Sequence, residues 1–390
     1  MLMRDETLCV KRPKVSHDGF ASLAIGTYRA STIVFDSAEA YAERSKRGPD
    51  GYTYGLHGTP TSRTLEASIT ALEKGKRTVL VPSGQAAVTI VFLSVLLPGD
   101  TVLIPDTAYP PVAAFCENYL KPRGIKYRIY DPMIGGAISE LIDDSVKLIW
   151  MESPGSTTME VQDIPAIVAA AKSRGVLTGC DNTWATPLYF KPLTHGVDFS
   201  TMALTKYVGG HSDLLMGSVA VDDIALHRGL KATLGMLGIG VSPDDCALAL
   251  RGMDTMAIRL AHSGRVAADF ARRIADMTSP SSVLHPILPD CTGHDSWKRD
   301  FSGASGVFSV MIPPNAESAL PSLLTAAKTF SIGASWGGTN SLLAPMTISR
   351  VLSTDAHAGT ILRISIGLEN ENDLWADLEP IARIVSAQPT

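Results

Sequence analysis

Among the residues that could do covalent chemistry, Lys206 comes first, because it follows an apolar stretch that predicts a strand over residues 197–204. A lysine at the edge of a cleft loses hydration, so its pKa falls and part of it becomes a neutral nucleophile near pH 7. Such an amine can bind an aldehyde covalently. Most lysines are solvated surface charges, so Lys206 alone does not define a site.

Two further features lie at the ends of predicted strands. Gly84 and Gln85 stand where a strand joins a helix, and the backbone N–H groups of such a helix N-terminus can bind a phosphate. Asp181 closes another apolar strand, where a carboxylate is costly to bury unless a cation such as a pyridinium nitrogen meets it. Alone, these could be a turn glycine and a capping aspartate. Together with Lys206, they are the groups needed to hold pyridoxal phosphate.

Short apolar segments alternate with helical ones and would position these residues. This alternation predicts an α/β fold with a mostly parallel, seven-stranded sheet that binds its ligand at the carboxyl ends of the strands. One helix is predicted over residues 164–174, with Asp163 as its N-cap. The predicted strands are residues 78–81, 101–104, 126–130, 146–151, 176–180, 197–204 and 217–221.

The order of elements predicts three regions. Residues 1–60 form a poorly periodic arm that ends in a stretch rich in Gly and Pro, and residues 61–250 form the α/β domain. Residues 251–390 form a smaller C-terminal α+β domain. Its predicted elements are helices over 253–277 and 316–328, strands over 307–312 and 362–366, and an irregular stretch over 279–306.

Composition argues against several classes of protein. A net charge of -5 without a dense Lys/Arg block gives no indication of nucleic acid or an anionic membrane as partner. The longest apolar run, residues 86–97, is too short to span a bilayer, and the N-terminal sequence lacks the apolar segment of a secretory signal. The five cysteines are far apart and neither they nor the nine histidines have metal-ligand spacing, so we expect a metal-free protein in a reducing cytoplasm.

Over nearly its whole length, the sequence resembles the pyridoxal-phosphate enzymes of cysteine and methionine metabolism, which have fold type I. The stretches that carry the resemblance are residues 152–161, 181–185, 205–213, 293–301, 335–338 and 363–369. With tryptophan at positions 184 and 336, the sequence resembles the β-cleaving members of the family. The resemblance therefore implies a carbon–sulfur lyase of methionine biosynthesis that cleaves L-cystathionine to homocysteine, pyruvate and ammonia.

The resemblance also implies a role for each matching residue. Lys206 would bind pyridoxal phosphate covalently and move protons, Asp181 would pair with the ring nitrogen, and Tyr109 would stack on the ring. The phosphate would be bound by Gly84, Gln85 and Thr205, and by Tyr54 of a neighbouring subunit.

On the substrate side, the resemblance implies that Arg363 binds the α-carboxylate in bidentate fashion, and that Ser335, Trp336 and the neighbour's Tyr54 line the pocket. Because Tyr54 would complete a neighbouring site, at least a dimer is implied, and members of the family pair dimers into tetramers.

Three positions depart from the family pattern. Leu56 stands where the family has an arginine that also binds the phosphate, and His57 or Arg63 could substitute for it. Ala203 replaces a common hydroxyl residue, and Asn340 replaces a common glutamate beside the substrate pocket.

Other functions are also open. Within the family, a broader cysteine desulfhydrase or a γ-acting enzyme is the alternative to β-cleavage. A serine hydrolase is a remote alternative, because residues 333–337 fit the Gly-x-Ser-x-Gly pattern around Ser335, although Asp355 and His357 follow too closely for separate strand ends. A non-catalytic cofactor-binding protein would not need Arg363, and residues 235–240 lack the glycine spacing of a nicotinamide site.

Overall fold

The computed structural model describes residues 18–48, 50–348, 350–352 and 360–386. Within these ranges no helix is both long and apolar enough to cross a membrane. The described part of the arm contains the short helix α1, Ala38–Ala42, and 3-10 turns at Arg44–Arg47 and Gly55–His57.

A seven-stranded sheet forms the centre of the larger layer, in the order β1-β7-β6-β5-β4-β2-β3. Neighbouring strands are parallel, except that β7 runs antiparallel to both β1 and β6. The prediction of a mostly parallel sheet of seven strands is therefore confirmed. The strands are β1 Arg77–Val81, β2 Thr101–Pro105, β3 Lys126–Tyr130, β4 Val146–Glu152, β5 Leu177–Asp181, β6 Phe199–Ala203 and β7 Gly217–Val221.

Helices cover this sheet and begin at residues suited to cap them. Thr59 and Ser62 form a capping box at the start of α2, and Asp163 accepts a hydrogen bond from the Ala166 N–H at the start of α5, as predicted. The helices are α2 Pro60–Glu73, α3 Gly84–Val95, α4 Pro110–Phe115, α5 Ile164–Ser173, α6 Thr186–Tyr189 and α7 Ile224–Leu237.

The core between sheet and helices is tightly packed. Phe92 of α3 and Trp150 of β4 are both fully buried, and their rings meet edge to face with centroids 5.2 Å apart. This packing fixes β4 two residues before its last residue, Glu152, so a polar side chain at that end is attached to a rigid strand.

The long helix α8, Pro243–Met277, leads from this layer to the second one. It begins at Pro243 rather than at Met253, because Ser242 caps it and Pro243 fits the first turn of a helix. The predicted division at residue 250 falls inside this helix, and where the domains divide stays a prediction.

A second sheet has the order β10-β11-β12-β9-β8. Its strands are β8 Val283–Leu284, β9 Val307–Ile312, β10 Ser331–Ile332, β11 Leu342–Thr347 and β12 Thr360–Ser365, and its helices are α9 His294–Asp300, α10 Leu320–Ala326 and α11 Glu371–Ser386. The interpretation of residues 279–306 as irregular was wrong, since β8 and α9 lie there. The helix predicted over 316–328 is limited to α10, and β11 and α11 were not predicted.

Candidate active site

A cavity of about 260 Å³ opens at the carboxyl ends of the large sheet, where the sequence predicts ligand binding. Eight of the predicted site residues line it: Gly84, Gln85, Tyr109, Asp181, Thr205, Lys206, Trp336 and Arg363. Two others do not. Ser335 lies just outside the lining and contacts Lys206, whereas Tyr54 is on the half-exposed surface of the arm.

Lys206 follows β6 by three residues and reaches towards the second layer. Its Nζ donates a hydrogen bond to Ser335 Oγ at 2.7 Å and lies 5.2 Å from the centre of the Trp336 ring. Burial, and after it the charge of Arg363, lower the pKa of Lys206 to about 8, and the charge of Asp181 partly opposes this. An amine in this environment is a nucleophile and a base near neutral pH.

Asp181 ends β5 and is held in place by Thr183. Its Oδ1 accepts hydrogen bonds from the Thr183 N–H at 2.9 Å and from the Thr183 hydroxyl at 2.5 Å. Burial raises the pKa of Asp181, while the two Thr183 donors and the charge of Lys206 pull it down. A carboxylate in this position attracts a cation into the cavity.

The start of α3 offers an anion site. The N–H groups of Gly84 and Gln85 lie in the first helical turn, where backbone donors have no partner within the helix. A Cβ on Gly84 would lie only 2.5 Å from the Ala203 Cβ, so glycine is needed for this close approach. With alanine at 203, no hydroxyl at that position faces the anion site.

The Thr205 hydroxyl already has hydrogen-bond partners in the backbone just before β7. Its hydroxyl donates to the Met216 carbonyl at 3.2 Å and accepts from the Met216 N–H at 3.0 Å. To donate to a phosphate, this hydroxyl must turn away from Met216.

Arg363 reaches the cavity from β12 of the second sheet. It is only 7 % exposed, pairs across the sheet with Ala344 and Ser309, and donates a hydrogen bond to the Ala334 carbonyl. Burial lowers the pKa of Arg363, but a guanidinium stays charged. Its remaining donors can bind a carboxylate.

One residue of the wall was not predicted as a site residue. Glu152 ends β4 as Asp181 ends β5, lines the cavity, and accepts a hydrogen bond from the Tyr109 N–H at 2.6 Å. An acid at the end of an apolar strand is the signal that singled out Asp181, and it applies equally to Glu152.

The residues of this wall fit pyridoxal phosphate. Donors for a phosphate, a carboxylate for a ring nitrogen and an amine for an aldehyde face one cavity. Gly84 lines the cavity without a side chain, since a Cβ there would collide with Ala203.

The geometry does not favour a serine hydrolase. Ser335 lies in the segment between β10 and β11, whereas a nucleophile elbow needs a helix directly after the serine. Its hydroxyl contacts an amine, Lys206. The proposed partners Asp355 and His357 lie outside the described residues.

Tyr54 and Leu56 are not among the residues that line this cavity. Tyr54 is 47 % exposed, and Leu56 packs so closely that a Cβ on Gly240 would lie 2.8 Å from it. Arg63 forms an ion pair with Glu66 at 2.8 Å. Arg63 is therefore engaged within its own chain.

Fold and cavity together define a pyridoxal-phosphate enzyme of the α/β type. Residues 6–381 match the family described as Cys/Met metabolism PLP-dependent enzyme. The chain belongs to this family, and the resemblance stated from the sequence is confirmed.

Individual relatives agree with this membership. The chain is 43% identical over 355 residues to "Putative cystathionine beta-lyase" of Rhizobium johnstonii, which covers 90% of this chain and 88% of the relative. It is 38% identical over 367 residues to "Cystathionine beta-lyase MetC" of Escherichia coli, covering 92% and 93%. Among solved structures, cystathionine gamma synthase from Xanthomonas oryzae, in complex with aminoacrylate and cysteine, is similar with a TM-score of 0.86 at 28% identity, covering 94% and 95%.

Proposed function

We propose that this enzyme is a carbon–sulfur β-lyase that cleaves L-cystathionine to homocysteine, pyruvate and ammonia. The observation that carries this is the position of Lys206, whose amine shares one cavity with the Asp181 carboxylate and the Arg363 guanidinium. The names of the relatives from Rhizobium johnstonii and Escherichia coli support the choice of β-cleavage.

The cofactor would be held by groups from several strand ends. Lys206 would bind its aldehyde, Asp181 would pair with the ring nitrogen, and Tyr109 would stack on the ring. Gly84, Gln85 and Thr205 would bind the phosphate through two backbone N–H groups and a hydroxyl. When bound, pyridoxal phosphate supplies an electron sink for the negative charge that develops at the substrate Cα.

Arg363 orients the substrate. Its guanidinium binds the α-carboxylate with two parallel hydrogen bonds, which fixes the direction of the Cα–H bond relative to Lys206. Burial of Arg363 strengthens this contact, because little water competes for the guanidinium. Trp336 and Ser335 would line the substrate side of the cavity together with Arg363.

Lys206 moves the proton. With a pKa of about 8, the Lys206 amine, free once substrate is bound, would take the Cα proton near neutral pH and pass a proton to the leaving sulfur. Ser335 accepts a hydrogen bond from Lys206 and so keeps Nζ on the substrate side of the cavity. Loss of the Cβ–S bond then releases homocysteine, and hydrolysis of the remaining three-carbon fragment gives pyruvate and ammonia.

Product analysis tests the reaction. Purified protein is incubated with L-cystathionine, and pyruvate with homocysteine is expected, with Lys206→Ala as the inactive control. Formation of 2-oxobutyrate with cysteine would instead establish γ-cleavage. Faster release of sulfide from cysteine than of homocysteine from cystathionine would indicate a desulfhydrase.

The exposure of Tyr54 supports an assembly of at least two subunits. Because Tyr54 is exposed and is not among the residues that line its own chain's cavity, we propose that it completes the phosphate and substrate site of a neighbouring subunit, in a dimer or a tetramer built from dimers. Tyr54→Ala and Lys206→Ala chains, refolded together in equal amounts, should regain about a quarter of the wild-type activity, because half the dimers contain one intact site. No recovery on mixing would place Tyr54 in its own site. We further propose that the enzyme acts in the cytoplasm.

A further inference from the structure

Two carboxyl groups end neighbouring strands on the wall of the cavity. Glu152 is the last residue of β4, Asp181 is the last residue of β5, and the two are register partners. Register partners on adjacent parallel strands lie about 4.8 Å apart and direct their side chains to the same face. Both side chains accordingly line the cavity.

Glu152 also holds the backbone of Tyr109. Its Oε2 accepts the Tyr109 N–H at 2.6 Å, at the point where the chain turns from β2 into α4. Pro110 and Pro111 follow and have no N–H, and the next backbone donor, Val112, bonds back to the Tyr109 carbonyl at 2.8 Å. The Glu152 contact therefore ties this turn to the sheet.

The two acids have different surroundings. Asp181 has two donors from Thr183 and the charge of Lys206 nearby, whereas a single N–H reaches Glu152 among the described residues. Burial, and then the charge of Asp181, raise the pKa of Glu152 well above its usual range. Since two adjacent carboxyls do not both ionise readily, the charge of Asp181 further disfavours ionisation of Glu152.

We propose that Glu152 is a positioning residue of this active site, which holds Tyr109 against the cavity and leaves the negative charge to Asp181. This rests on the proposed function in that Tyr109 serves the bound cofactor and substrate. The contact between Glu152 and Tyr109 itself does not depend on which substrate is cleaved.

Three variants test the proposal. Glu152→Gln is neutral and keeps an oxygen for the Tyr109 N–H, whereas Glu152→Ala leaves that N–H without its acceptor. For Glu152→Ala we expect kcat to fall about 10- to 100-fold, with a smaller change in KM, because Tyr109 is displaced. Glu152→Gln should retain at least about tenfold more activity than Glu152→Ala, the rescue expected for a neutral acceptor. If Glu152→Ala does not fold, Glu152→Met has similar length without the acceptor and replaces it.

The binding of pyridoxal phosphate gives a second readout. Glu152→Ala should raise the dissociation constant of the cofactor and change its visible absorbance, and Glu152→Gln should restore both. In a Tyr109→Ala background, Glu152→Ala should have little further effect, since Glu152 acts through Tyr109.

Two results would overturn the proposal. One is Glu152→Gln being as damaging as Glu152→Ala, which would mean that an ionised carboxylate is needed. The other is full additivity of the Glu152 and Tyr109 substitutions. Should the wild-type protein leave cystathionine intact, the proposed function fails, and the cofactor measurements still decide the role of Glu152.

Discussion

Lys206 and Ser335 meet across the two layers of the molecule, with Nζ and Oγ 2.7 Å apart although 129 residues separate them in sequence. Lys206 follows β6 of the large sheet, and Ser335 follows β10 of the small one. The contact therefore exists only when both layers are in place. It fixes an amine with lowered pKa at the mouth of the cavity.

The lowered pKa of Lys206 leads us to expect that the rate of cofactor attachment depends on pH. Only neutral Lys206 can attack an aldehyde, and its pKa of about 8 means that the neutral fraction grows as pH rises through 8. The rate at which apoprotein binds pyridoxal phosphate covalently should rise about tenfold between pH 7 and pH 9 and then level off. Stopped-flow absorbance measures this rate. A rate that keeps rising beyond pH 10, as for an ordinary lysine, would contradict the lowered pKa.

From the carboxylate-binding role proposed for Arg363, we expect its replacement by lysine to weaken substrate binding. A lysine at this position keeps the charge but loses the two parallel hydrogen bonds, so Arg363→Lys should raise KM about tenfold or more, with a smaller effect on kcat. Steady-state kinetics measure both constants, and cofactor absorbance checks that the variant is intact. Arg265→Lys, at an exposed ion pair with Glu371, is the matched control. An unchanged KM in Arg363→Lys would exclude the carboxylate role.

From the burial of Glu73, we expect the free energy of unfolding to depend on pH in a way that is unrelated to the reaction. It is buried at the end of α2, accepts a hydrogen bond from Ser200 at 3.0 Å, and its pKa is raised by burial to about 7. Since the folded state holds this proton more tightly, its contribution to stability is present below about pH 4.5 and is lost as pH rises to about 7.

Glu73→Gln cannot lose a proton, so relative to wild type it should gain on the order of 3 kcal/mol of unfolding free energy between pH 4.5 and pH 8. Urea unfolding of the apoprotein at both pH values measures this difference. The exposed Glu140→Gln serves as control. Equal differences at the two pH values would show that folding does not raise the pKa of Glu73.

The large sheet was predictable because its strands are short, apolar and β-branched, and because their carboxyl ends must meet at one edge. The same reasoning located the cavity beside Lys206 and Asp181. Glu152 also closes an apolar strand but was not predicted as a site residue, since an acid at a strand end does not reveal which group it contacts. The contact with Tyr109 depends on tertiary structure and has no local signature.

The second sheet was harder to predict. Pro345 interrupts β11, and a proline within a strand argues against a strand. In the structure β10 pairs only with Leu342 and Leu343, so the missing N–H of Pro345 lies beyond the end of β10 and costs the sheet no hydrogen bond. Helix α11 likewise contains Pro380. That a strand and a helix accept these two prolines cannot be inferred from the sequence, because it depends on which elements lie beside them.

The central claim is that Lys206 is the residue to which the cofactor binds. Borohydride reduction of the holoenzyme makes that bond permanent, and digestion followed by mass spectrometry then locates it. The mass of the reduced cofactor on the peptide that contains Lys206 is the predicted result. A label on any other lysine, or no label on a protein with full cofactor absorbance, would contradict the claim.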